Sequence, residues 1–450
     1  MRFTVERDAL AEAVAWVARA LPTRPVIPVL GGLLLRAGRD GLTLSCFDYE
    51  VSARMGVPAD VAEPGSVLVP GRLLVEITRS LPGLPVDFAD DPDGVSMICG
   101  EAAFTLATLP TGEYPELPEL PQLAGTADGG VLATAIGQVT PAASRDDTLP
   151  MLTAVSVELD GKTMTLAATD RYRLAVRELD WDPSPGEGEH GRVAILVPAK
   201  TLADAGRLMS PGVPVRIMLR DSGTSLTSGA AAADRGTGER LAGDRVSADR
   251  GTGDRVAGDR GAAATAGHAM SGDAMIGFEA GERRLTTRLL AGEFIRYRSR
   301  FPEEFGCTAE LPAEAFAEAV RRVSLVAERG TPVQLSFAPG RVTVGAATQG
   351  QARARETVPA DFTGDEPVIA FSPHFLLDGV IAATAGATGA AGAPGPGAGG
   401  TAHGASSGPD GPRVTLQFTS ASKPAVITQR VGSGAGNDFR YLVVPQRVQL

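Results

Sequence analysis

The chain runs to 450 residues, 43% of them apolar, with 42 basic and 53 acidic side chains for a net charge of −11. That length exceeds one ordinary core and points to about three domains of ~150 residues. The negative balance excludes a surface coated in cations for nucleic acid, but it permits a basic patch on one face.

In chain order, Met1-Arg2-Phe3-Thr4-Val5-Glu6-Arg7-Asp8 carries charges where a signal peptide places its apolar segment, and no later apolar run approaches the roughly 18 residues that cross a bilayer. A cytoplasmic location with no membrane contact is expected. Asp8 reads as an N-cap, after which Leu10, Val14, Val17 and Leu21 recur at helical spacing. Leu42-Thr43-Leu44 alternates as a half-buried antiparallel strand does and leads into Cys46-Phe47-Asp48-Tyr49-Glu50. Val67-Leu68-Val69-Pro70 is a strand running into a proline-started helix, where the missing N–H leaves no bond unmade. That helix presents Leu73, Leu74, Ile77 and Leu81, and a strand over 104–109 closes the unit.

The same elements return twice in the same order. The second copy has a helix over 131–139, the strand Met164-Thr165-Leu166 leading to Asp170-Arg171-Tyr172-Arg173, and Ile195-Leu196-Val197-Pro198 before Leu202, Ala205 and Leu208. Its closing strand spans 285–290. The third has a helix from Leu311 to Val323, the strand Val342-Thr343-Val344, Ile369-Ala370-Phe371-Ser372-Pro373 before Leu376, Leu377, Val380 and Ile381, and a closing strand over 425–430. A triplicate in fixed order predicts three similar α+β domains over residues 1–124, 125–304 and 305–450, each with helices on one sheet face.

Two tracts interrupt the pattern. In residues 224–274, acid–arginine pairs recur every five residues from Asp234-Arg235 to Asp259-Arg260, a period that gives neither helix nor strand a continuous apolar face. Residues 384–412 form a Gly/Ala-rich stretch. Both read as surface-loop expansions, with a partner-binding arm as the other reading of the first.

The proline-started helices carry a further pattern. Arg72 and Arg79 lie two and nine residues after Pro70, and Lys200 and Arg207 lie two and nine after Pro198. Seven residues are two helical turns, so each pair shares a face. The third copy has Phe375 and Ala382 at these distances from Pro373. Any one of the charges reads as an ordinary solvated residue; the matched pairs read as cations aimed at phosphates.

Catalytic motifs fail on context. Gly404-Ala405-Ser406-Ser407-Gly408 matches a nucleophile elbow but sits in low-complexity sequence, and no phosphate loop exists. Asp48 and Asp170 occupy equivalent places, which indicates a shared turn more simply than paired catalytic carboxylates. The three cysteines (Cys46, Cys99, Cys307) stand far apart as free thiols do, and the four histidines (His190, His268, His374, His403) have no zinc-ligand spacing. A non-catalytic protein with no metal and no cofactor is expected.

Several segments resemble bacterial DNA polymerase III beta sliding clamps: residues 1–7, Arg24-Pro25-Val26-Ile27-Pro28-Val29-Leu30-Gly31, residues 168–176, Tyr441-Leu442-Val443-Val444-Pro445, and the turns Gly112-Glu113-Tyr114-Pro115 and Gly292-Glu293-Phe294. With the two interruptions set aside, the resemblance spans nearly the whole chain. It implies a head-to-tail homodimer of six domains closing a ring, helices inside and antiparallel sheets outside. Such a ring encircles double-stranded DNA without reading its sequence and acts as a processivity factor in DNA replication. The implied partners are a clamp loader, the DNA polymerase III alpha subunit and other proteins with clamp-binding peptides, in cytoplasm at the nucleoid.

The resemblance adds Arg24 to the DNA-binding set. It places a partner-peptide pocket between the second and third domains at Leu152, Thr169, Arg171, Tyr172, Arg173, Leu174, Ile295, Ser299, Arg300, Leu442, Val443, Val444, Pro445 and Arg447. It also places a dimer seam at Phe104 and Leu106 against Leu325 and Val326. Ordinary core packing is the other reading of Leu152, Leu174, Val443 and the seam residues. Ile295 replaces the family's proline, Ser299, Arg300 and Gln446 also depart from its pattern, and Val448-Gln449-Leu450 extends its tail. These departures predict an altered peptide preference. They also sustain a rival reading, a divergent clamp-like peptide-binding protein never loaded on DNA.

Overall fold

The computed structural model describes residues 1–185, 192–220, 270–328, 330–348, 352–385, 411–429 and 438–446. Its elements follow one order three times: strand, helix, five strands, helix, three strands. The helices are α1 (Arg7–Val17) and α2 (Gly71–Ser80) in the first domain, α3 (Gly129–Val139) and α4 (Ala199–Gly206) in the second, and α5 (Ala313–Ser324) and α6 (Pro373–Thr384) in the third.

The repeat is exact in its core residues. Leu10, Val14 and Val17 of α1, Leu132, Ile136 and Val139 of α3, and Phe316, Val320 and Val323 of α5 are all buried at one spacing of four and three. Leu74, Leu202 and Leu376 do the same for the second helix of each domain. The helices pack in pairs, α1 with α2, α3 with α4 and α5 with α6, over one face of the sheets. On the strand Gly32–Gly38, Leu33, Leu35 and Ala37 join the helix-side core, while Leu34 and Arg36 alternate to the other face.

Several expectations are corrected. Helix α1 is capped by the extended backbone of Glu6, with Asp8 inside the first turn, where a carboxylate favours the helix dipole. The side-chain cap falls in the second domain, where the Val131 N–H donates to Asp128 Oδ1 at 2.9 Å. Leu73 is exposed although its neighbour Leu74 is buried. The strand Met270–Ala280 begins inside the tract read as the first insertion. The third domain's closing strand is Phe439–Val443, not residues 425–430; Ala425–Gln429 is its neighbour. Residues 224–269 and 386–410 of the insertions, Gly404 to Gly408 among them, lie outside the described residues, as do residues 349–351, Arg447 and the last three residues, while Thr384 still belongs to α6.

The third copy of the proline-started helix is also shifted. Pro70 and Pro198 occupy the N-cap, whereas Ser372 is the N-cap of α6 and Pro373 its first helical residue. The places equivalent to Arg72 and Arg79 are therefore His374 and Ile381, both exposed, rather than the half-buried Phe375 and buried Ala382.

Each domain contains a four-stranded and a five-stranded antiparallel sheet. The first domain's five-stranded sheet runs Ala59–Glu63, Arg2–Val5, Val86–Asp91, Gly94–Cys99, Ala102–Leu106. Its four-stranded sheet ends at Val51–Val57, which pairs with the second domain's last strand, Arg283–Leu290. The same pairing joins Arg173–Asp180 of the second domain to Phe439–Val443 of the third. Two sheets thus continue across the junctions, and all three cysteines are buried as free thiols.

Candidate functional site

The seven-spaced cations are all exposed on their helices: Arg72 and Arg79 on α2, Lys200 on α4, and Arg207 at its C-cap. Arg72 Nη2 donates to the carbonyls of Pro22 (3.3 Å) and Thr23 (3.0 Å), tying α2 to the loop that carries exposed Arg24. Lys200 of the second domain lines, with Trp16, Pro22 and Thr23, an inter-domain cavity of ≈ 80 Å³ beside the same loop. The fold thus gathers Arg24, Arg72 and Lys200 around one loop. Arg207 instead pairs with Asp204 at 2.5 Å, which partly cancels its charge. Arg19, in the short turn after α1, lines the same cavity and was not singled out by the sequence pattern. The available signal was its position five residues before Arg24.

At the junction of the second and third domains, Leu174 pairs with Leu442 across the shared strands. The two form an apolar cluster with Ala167, Val176 and Tyr297, against which Phe294, Phe301 and Val444 pack. The linker aromatics Phe294, Tyr297 and Phe301 had no place in the sequence-based set; their three- and four-residue spacing after Gly292 is the signal they leave. Tyr172, 56% exposed, stands beside this cluster, its carbonyl accepting from the Val444 N–H at 2.9 Å. Ile295, Ser299 and Arg300 are exposed on the linker, and Val444 and Pro445 are half-buried.

Other residues of the set are absorbed by the fold. Thr169 Oγ1 donates to the Arg173 carbonyl at 2.5 Å and accepts from the Arg171 N–H, closing the turn in which Arg171 takes a φ of 80°. Val443 is core of the third domain, and Leu152 is the buried last residue of the short turn Pro150–Leu152. Arg173 is a junction residue: Nε donates to Asp170 at 3.0 Å, Nη1 to Asp378 of α6 and, at 3.3 Å, to Tyr441, and the guanidinium lies 4.5 Å over the Phe375 ring. Burial works against its charge, but Tyr441 and the carboxylates of Asp378 and Asp170 outweigh it and hold the guanidinium above the ordinary arginine value.

The junction of the first and second domains repeats this geometry with different chemistry. Asp48 Oδ1 accepts from the N–H groups of Glu50 and Val51, as Asp170 Oδ1 does from those of Tyr172 and Arg173, and Tyr49 matches Arg171 with a φ of 75°. The paired aspartates are therefore turn residues. Ser52 and Thr286 occupy the places of Leu174 and Leu442, and their hydroxyls share a 2.6 Å hydrogen bond. The first junction's strand pair therefore carries hydroxyls where the second carries leucines.

Of the seam residues, Leu325 is 84% exposed at the C-cap of α5, and Val326 is partly buried. Phe104 is half-buried on the strand Ala102–Leu106, which forms one edge of the first domain's five-stranded sheet. Leu106 is only 2% exposed and, on the same strand face as Phe104, lies in its own domain's core, against which Phe104 also packs.

The comparisons with known proteins agree with this architecture. Residues 1–118, 127–233 and 298–386 match the N-terminal, central and C-terminal domains of the DNA polymerase III beta subunit. The chain is 42% identical over 450 residues to a beta sliding clamp of Streptomyces coelicolor, covering 100% of both chains. It is 41% identical over 359 residues to one from Micrococcus luteus, covering 80% of this chain and 99% of that protein. The crystal structure of a Bacillus subtilis DNA polymerase sliding clamp shares the fold at a TM-score of 0.74 with 22% identity, over 100% of this chain and 99% of that one. The chain belongs to the DNA polymerase III beta subunit family, the beta sliding clamps.

Proposed function

We propose that two copies of this chain close head to tail into a ring around duplex DNA and tether a replicative polymerase to it. The observation that carries this reading is the repeated junction. Val51–Val57 pairs with Arg283–Leu290, and Arg173–Asp180 pairs with Phe439–Val443. By the same order, the third instance would join Ala352–Pro359 to a strand equivalent to Ala102–Leu106. Among the described residues, those two strands are sheet edges without a partner. A second copy satisfies both edges, and a head-to-tail contact repeated twice closes without exposing a further one. Exposed Leu325 and half-buried Phe104 lie beside these edges and supply apolar contact.

Within the ring, Arg24, Arg72, Arg79 and Lys200 face phosphates, with Arg207 a weaker contributor. The Leu174–Leu442 cluster, with Tyr172 and Ile295 at its rim, receives apolar residues of short peptides from the clamp loader, the polymerase alpha subunit and repair proteins. Isoleucine at 295 in place of proline, with Ser299 and Arg300 exposed beside it, favours a peptide set of its own. The protein performs no chemistry itself; its contribution to synthesis is to raise local polymerase concentration. It works in the cytoplasm at the nucleoid, a location compatible with the lack, among the described residues, of any helix long and apolar enough to cross a membrane.

Primer extension on a long circular template tests the proposal. With a cognate loader and polymerase, the protein lengthens the product made per binding event; product length indifferent to the protein would overturn it and favour an unloaded peptide-binding homologue.

A further inference from the structure

We infer that Arg19 and Lys200 together hold one phosphodiester of the duplex across the junction of the first and second domains. The inference rests on the proposed passage of DNA along the helix face. Arg19 belongs to the turn Ala18–Ala20 of the first domain, and Lys200 opens α4 of the second. Both are exposed, and both line the ≈ 80 Å³ cavity that separates the domains.

Two carboxylates share that cavity, and both are engaged elsewhere. Asp48 accepts backbone N–H groups at 3.0 and 2.7 Å, and Asp204 pairs with Arg207 at 2.5 Å. Neither Arg19 nor Lys200 has an acidic partner within 4 Å among the described residues. Their charges are therefore available to an anion at the cavity mouth. The anion is backbone phosphate rather than a free metabolite, because Arg24 and the Arg72-pinned loop continue the cationic surface beyond the cavity, as a polyanion requires. The second junction has no such pair: the place of Lys200 is taken by His374, whose Nδ1 shares a 2.9 Å hydrogen bond with Ser372 Oγ, and Pro141 stands on the turn after α3 where Arg19 stands after α1. The grip on DNA is thus stronger at the first junction than at the second, and occupancy of the seat ties those two domains together.

Equilibrium binding to a fluorescent duplex, measured from about 50 to 200 mM salt, tests the assignment. Arg19→Ala and Lys200→Ala should each lower the slope of log K against log salt by about 0.9, the value for one phosphate contact. The double variant should lose less than the sum, because the two side chains serve one phosphate. Arg36→Ala, on the opposite sheet face, should match the parent. An Arg19→Ala slope equal to the parent's, with Lys200→Ala reduced, would overturn the role of Arg19 while leaving DNA binding intact; strictly additive losses would overturn the shared phosphate. A parent protein with no salt-dependent duplex binding would remove the underlying DNA reading instead.

Discussion

Arg173 of the second domain donates to the carboxylate of Asp378 on α6 of the third, with Asp170 holding Nε of the same guanidinium at 3.0 Å. The pair joins two domains at the edge of the apolar patch proposed for peptides, so its loss would move the patch as well as the junction. Arg173→Ala leaves the largely buried Asp170 carboxylate and the part-exposed Asp378 without their cation, at a cost of about 1–3 kcal/mol. Arg173→Lys keeps the charge but cannot fork between both acids. Faster hydrogen exchange along the pairing of Arg173–Asp180 with Phe439–Val443 checks both, with the alanine variant the faster.

Close packing makes a neighbouring position equally sensitive. Gly379 lets the Tyr441 ring lie against α6; a Cβ there would sit 2.6 Å from two ring carbons. Gly379→Ala should destabilise the third domain by about 1–3 kcal/mol through overpacking, read as a lower thermal midpoint with unchanged secondary structure.

Acid should weaken the second domain through Glu279. Burial alone would raise its carboxyl, but hydrogen bonds and charge from Arg284 (2.5 Å) and Arg216 (2.6 Å) outweigh it and hold it below the ordinary glutamate value. A carboxylate depressed in the folded state contributes stability above the unfolded glutamate range and loses it as pH falls through the folded pKa. Glu279→Gln should be less stable than the parent at neutral pH, and the two should converge in acid. A constant gap across chemical denaturation curves from pH 7 to 3 would contradict the assignment.

The seam can be tested without disturbing the core. Leu325 is 84% exposed, so Leu325→Asp leaves the isolated domain within about 0.5 kcal/mol of the parent. A charge buried at a contact costs far more, and the dimer dissociation constant should rise at least tenfold by sedimentation velocity.

Copying the first junction into the second tests the peptide site. Leu174→Ser with Leu442→Thr reproduces the Ser52–Thr286 pair, which keeps a cross-strand hydrogen bond but removes the apolar anchor. Affinity for a clamp-binding peptide should fall more than tenfold in a polarisation titration while the circular dichroism stays that of the parent.

The fold was legible because its signals are local and threefold: helical spacing such as Leu10, Val14 and Val17 reports burial directly. The errors arose where one local sign had to set a register. Proline is not a fixed marker of register: it fills the N-cap at Pro70 and Pro198 but the first helical position at Pro373, so counting from it passes over His374. The third domain's closing strand is displaced to Ala425–Gln429 because that strand has the same apolar character as its neighbour Phe439–Val443. The site was less readable still. Arg173 looks like any surface arginine until Asp378, 205 residues away, is brought to it, and Arg19 gains meaning only when α4 of another domain faces it.

The central claim is topological, and retention on DNA of different shape tests it most directly. After loading onto nicked circular plasmid, the protein should stay bound at a salt concentration that abolishes simple duplex binding, then leave by the ends once the plasmid is linearised. Equal retention on circular and linear DNA, or none on either with an active loader, would contradict a closed ring.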